Sequence, residues 1–245
     1  MANWSDPRPS AAPFGVSQAG TRDAAYDAGL RSYMLSVYNY MASGVLLTGI
    51  VALAFALSGY AAAAFQTPLR WVITLAPLGF VFAMSFGQGR FNSGQLKAMF
   101  WGFAVAMGLS LSTIFLVYSP IAIAQAFFAT AAGFGALSLY GYTTKKDLSA
   151  LGTFLIIGLV GLIVASIINM FVQSGPLGLV ISIVGVLLFA GLTAYDTQRT
   201  KSLYFQVAGS GELVAKAVVL SALTLYLDFI NMFLFILRLF GSSRD

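Results

Sequence analysis

Seven apolar, nearly uncharged runs dominate this chain, near residues 38–58, 71–88, 98–118, 121–142, 151–172, 177–195 and 214–238. Each is close to the roughly 20 apolar residues that a helix needs to cross about 30 Å of hydrocarbon. Charged residues make up only 9% of the 245 positions, against about 25% in a soluble domain, too few to cover a soluble surface. The expected fold is all-α, a polytopic membrane protein of seven transmembrane helices. Residues 25–242 form that membrane domain. Residues 1–24, polar and rich in Pro, Ser and Gly with no apolar core of a signal peptide, are expected to be a disordered cytoplasmic tail.

Two connections are very short, and each holds a turn-forming proline: Tyr118-Ser119-Pro120 and Ser174-Gly175-Pro176. Short connections make neighbouring helices antiparallel. With the N-terminus inside, ten of the 13 Lys and Arg fall on the cytoplasmic side, and only Arg70, Arg238 and Arg244 fall outside. That asymmetry predicts a cytoplasmic N-terminus and an external C-terminus. It also puts Arg90, at the end of the second run, level with Asp196 at the end of the sixth. The many glycines inside the runs are expected to let helices pack closely.

The chain has no Cys and no His. Disulfides, thiolate or histidine metal sites, cysteine catalysis and Ser-His-Asp triads are therefore excluded. Any response to pH near neutrality falls to carboxylates in special surroundings, because histidine is the usual switch there. Of eight acids, only Asp228 lies inside an apolar run. An ionisable group at that depth marks function unless it is structurally bonded. Lys216 and Arg238, on the same run, are roughly 18 and 15 Å away along a helix axis, out of reach. The partner must come from another helix or from water, and Asp196 with Arg90 as counter-ion is the natural candidate. Two carboxylates close together share a proton and titrate as a pair. Two blander readings stay open: Asp196 as a helix cap, and Asp228 in a structural hydrogen bond. Asn231, three residues on, would share the polar face of Asp228.

Four stretches carry a family likeness: GLRSYMLSVYNYMASGVLLTG at 29–49, APLGFVFAMSFGQGRFNSG at 76–94, FAGLTAYDTQRTKSLY at 189–204 and SALTLYLDFINMFLFILRLFG at 221–241. Together they resemble the Bax-inhibitor (transmembrane Bax-inhibitor-motif) family, bacterial branch. The resemblance implies a bundle wrapped around the last helix and a pH-sensitive calcium leak through it. Asp196, after the signature Tyr195, and Asp228 match the family's hydrogen-bonded proton sensor. Arg90 is the candidate for the arginine that latches the pair. The family's intramembrane acid on the second span has no counterpart here, so weak passage of Ca²⁺ is expected rather than tight binding.

The resemblance also implies a second function: interaction with a membrane-bound ATP-dependent quality-control protease, with the N-terminal tail as its handle. Enzymatic readings fall away. An intramembrane aspartyl protease needs Gly-x-Gly-Asp at its second acid, and Asp228 follows Leu225-Tyr226-Leu227. A retinal protein needs a lysine well inside its span, and Lys216 lies at the edge. No cofactor is expected, and Ca²⁺ enters as a permeant ion. The bilayer is the expected partner. Nucleic acid is not, since no basic run exceeds two residues.

Overall fold

The computed structural model describes residues 18–241, with side chains from residue 27 onward. Of the tail expected over 1–24, residues 1–17 lie outside the described residues, and so does most of the handle for a protease. Residues 18–24 belong to the first helix. The helices are α1 (Gln18–Leu57), α2 (Tyr60–Gln66), α3 (Leu69–Gly87), α4 (Ser93–Leu111), α5 (Ile114–Val117), α6 (Pro120–Thr143), α7 (Ser149–Val172), α8 (Gly175–Val207) and α9 (Gly211–Phe240). Among the described residues, seven helical segments are long and apolar enough to cross a membrane, with α5 continuing the span begun by α4. Helices suit hydrocarbon because each satisfies its own backbone N–H and C=O groups.

Local chemistry sets where the helices begin. Asn92 accepts from the Gln95 N–H, and the Gln95 side chain accepts from the Asn92 N–H, a reciprocal cap that starts α4. Ser119 and Ser174 cap α6 and α8, each with proline in the first turn, where its missing N–H costs nothing. The two prolines singled out in the sequence thus open helices. Gly59, at φ 77°, supplies the left-handed residue between α1 and α2. Asp147 holds the start of α7: the Ser149 side chain and N–H both bond its carboxylate and keep it below the usual carboxylate range.

α9 is the axis of the bundle. In its apolar window 61% of residues are buried, against 44% for α8 and at most 39% for the other spans. It packs against α1, α4, α6 and α8, whereas α3 lies on α4 and α7 on α8, at the periphery. The outward faces carry large apolar side chains such as Phe86, Phe128, Phe154 and Phe171, which would be a liability in water and suit lipid. The centre around α9 is aromatic. Tyr226 is fully buried, edge-on to Phe103 at 4.9 Å and to Phe100 at 6.3 Å. The close approach expected of the glycines is realised at Gly141, where a Cβ would collide with the Ala194 carbonyl of α8.

Besides α1, which begins well before the first apolar run, one boundary near the acids differs from the sequence reading. The sixth apolar run stops near residue 195, but α8 continues through Asp196 to Val207. Asp196 therefore sits within a helix and caps nothing. The polar residues beyond it are held by inward bonds. Thr197 bonds Ser138, which bonds Tyr38. Gln198 donates to the Lys146 carbonyl and accepts from the Leu148 N–H, pinning the α6–α7 connection. The Lys201 ammonium donates to the Tyr142 carbonyl near the C-terminus of α6, where a cation is favoured, and lies 5.0 Å from the Tyr142 ring centre.

Candidate functional site

α8 and α9 are joined by three residues and pack along their length, which brings Asp196 and Asp228 face to face. Both side chains are buried, and their carboxyl groups are in hydrogen-bonding contact. Oδ2 of Asp228 is buried and has no hydrogen-bond donor. The polar groups one might expect to serve it are occupied elsewhere. Asn231 Nδ2 donates to the Leu227 carbonyl at 2.8 Å, and the Tyr226 hydroxyl bonds Thr48 at 2.7 Å. Asp228 thus has no conventional structural bond from its neighbours. Its polar contact is the other acid.

Two cavities border Asp196, and one of them also borders Asp228. One, of about 550 Å³, lies between α3, α8 and α9 and is the more polar, with Ser85, Gln88, Thr200, Gln206 and Ser221 on its walls. The other, of about 650 Å³, lies between α7, α8 and α9 and is mostly apolar, with Ser166, Asn231 and Asp228 among its few polar groups. Asp196, Arg199, Thr224 and Leu227 line both. A third cavity, of about 390 Å³, follows toward the far end of α9, bordered by Asn169, Ser182 and Arg238 and sharing Ser166 with the second. From Leu220 in the first cavity to Arg238 in the third is roughly 27 Å along α9, close to the ~30 Å of hydrocarbon. Asp196 lies between the first two, with Asp228 on the apolar side.

The sequence-derived residues fall out as follows. Asp196 and Asp228 are together. Tyr195 lines the apolar cavity and lies against Gly152 of α7, a position where any Cβ would strike its ring. Asn231 lines the same cavity as Asp228. Arg90 follows α3 in a turn, is exposed, and lines neither cavity, although Gln88 two residues before it does. The cation whose charge acts on Asp196 is Arg199, three residues on along α8. In the sequence Arg199 counts only as one of the ten cytoplasmic cations, because the sixth apolar run ends before it. Thr224 was also missed. The signal was the i, i+4, i+7 spacing of Thr224, Asp228 and Asn231, one polar stripe on an otherwise apolar helix.

Comparison with known proteins agrees with this architecture. A family model described as Inhibitor of apoptosis-promoting Bax1 matches residues 30–245. Protein RP147 of Rickettsia prowazekii (strain Madrid E) is 43% identical over 226 residues, covering 92% of this chain and 95% of its own. The inner membrane protein YbhL of Escherichia coli (strain K12) is 42% identical over 220 residues, covering 89% and 94%. A protein of Deinococcus radiodurans is 44% identical over 216 residues, covering 88% and 92%. With the family match spanning most of the chain and full-length relatives above 40% identity, this is an integral membrane protein of the Bax-inhibitor family.

Proposed function

We propose that the protein is a pH-sensitive calcium (cation) leak of a bacterial inner membrane, gated by Asp196 and Asp228. The observation that carries this reading is the contact between the two carboxyl groups beside two cavities that share Asp196. Carboxyl groups in hydrogen-bonding contact hold one proton between them. Loss of that proton leaves two like charges facing each other, with no donor at Asp228 Oδ2 to compensate. The pair separates, α8 and α9 part at that level, and the cavities connect.

The freed carboxylates then face a cation path. Ca²⁺ takes six to eight oxygen ligands. Among the described residues no group of three or more acidic side chains gathers. A pair supplemented by Thr224, Asn231 and water makes a weak, transient site, suited to passage rather than storage. Arg199, which lines both cavities, is assigned the counter-ion role that the sequence gave to Arg90. The polar cavity faces the cytoplasm, given the charge asymmetry of the connections.

Calcium flux into proteoliposomes across about pH 6 to 8, the range a histidine-free chain must cover with carboxylates, tests this. The wild-type leak should rise with pH. Asp196→Asn and Asp228→Asn replace the shared proton with a permanent amide donor and should each flatten the profile. Three identical profiles would sink the gate.

A further inference from the structure

A separate groove runs between α1 and α6, with a volume of about 540 Å³. Met34, Leu35 and Met41 form one wall, and Ala131, Phe134 and Leu139 the other. Phe229 of α9 is the floor. The two helices meet through long side chains, Tyr38 bonding Ser138 across the base. The groove is open beside Gly135 of α6, where a Cβ would meet no atom within 4 Å.

The polarity of the groove is graded. One end holds Arg31, which is exposed, and Tyr142, whose ring carries the Lys201 ammonium. The other end, at Met41, Ala42 and Ala131, is wholly apolar. Asp27, one turn before Arg31, borders a neighbouring hollow on α1 and not this groove. From Arg31 to Ala42 is roughly 16 Å along α1, the depth of one leaflet of a ~30 Å hydrocarbon core.

We propose that the α1–α6 groove binds one acyl chain of an anionic phospholipid, with the headgroup on Arg31 and Lys201. The length fits a chain entering from one leaflet. The apolar walls and empty Gly135 position accommodate it, and the cations lie at the end where a phosphate would sit. This assignment is independent of the leak reading.

Native mass spectrometry of the full chain in detergent, with dioleoyl phosphatidylglycerol or dioleoyl phosphatidylcholine added, provides the test. The wild type should retain phosphatidylglycerol in preference. Arg31→Gln should reduce that preference about fivefold, the factor one cation near an anionic headgroup supplies. Gly135→Phe should abolish retention of both lipids while leaving the melting temperature in detergent unchanged. Should Gly135→Phe unfold, Arg31→Gln and the comparison of headgroups still decide. Equal retention of both lipids by the wild type, or undiminished phosphatidylglycerol on both variants, would overturn the proposal. So would a wild-type dimer that Gly135→Phe dissolves, which would put a second copy in the groove.

Discussion

Thr48 has one hydroxyl proton, and it goes to the Ala104 carbonyl at 2.9 Å. The Tyr226 hydroxyl, 2.7 Å from Thr48 Oγ1, must therefore be the donor of their bond. This fixes an order of cost. Tyr226→Phe removes one donor, leaves Thr48 bonded to Ala104, and should cost about 1 kcal/mol. Thr48→Ala strands a fully buried hydroxyl and should cost more, about 1–3 kcal/mol. Unfolding in detergent measures both. Equal costs, or the reverse order, would refute the proton assignment. The same counting applied to Asp228 leaves an oxygen with no donor, which is why its partner acid matters so much.

Two of the three glycines of α6, Gly135 and Gly141, have opposite meanings at the scale of an element. Gly141 is buried against the Ala194 backbone of α8, and Gly141→Ala must push the helices apart at a cost of about 1–3 kcal/mol. It should also disturb the Ser138–Thr197 bond three residues away on α6. Gly135→Ala meets open space and, with alanine's better helix propensity, should be neutral or stabilising. Thermal melts of the two variants separate these cases, and matching melts would contradict the packing described. Neither role is visible in the sequence, where both read as small residues in an apolar run. The spans themselves were legible, because hydropathy marks the apolar length of a crossing helix. The continuation of α8 was not. Beyond Tyr195 hydropathy falls, and a window of averages stops there. The inward stripe of Thr193, Thr197, Thr200 and Tyr204 keeps helical spacing to the end and was the signal of a helix running on past the apolar core. The acid pair was half legible. The isolation of Asp228 on its own helix showed that a partner must come from elsewhere, but which cation faces the pair depended on the helix end.

At the scale of the whole molecule, the charge asymmetry makes a claim about sidedness that chemistry can check. The chain has no cysteine, so single-cysteine variants report without background. Lys145→Cys, in the α6–α7 connection, should resist an impermeant maleimide applied to intact cells and react once the membrane is opened. Thr67→Cys, between α2 and α3, should react from outside. The opposite pattern would invert the topology. It would also place the polar cavity on the external side.

The central position of α9 has a consequence for how the protein is made. Ribosomes deliver a chain in order, and α9 emerges only after every helix it packs against. Until then α1, α4, α6 and α8 enclose no axis. The Tyr33 hydroxyl lacks Ser221, Thr48 lacks Tyr226, and Asp196 lacks the acid it faces. Helices inserted early can pair, α1 with α4 and α6 with α8, but the ring they form stays unfilled and partly polar. The arrival of one helix converts that ring into a packed bundle, so assembly is completed in a single late event. A chain cut before Gly211 would hold six of the seven candidate crossings, with its interior still open to lipid.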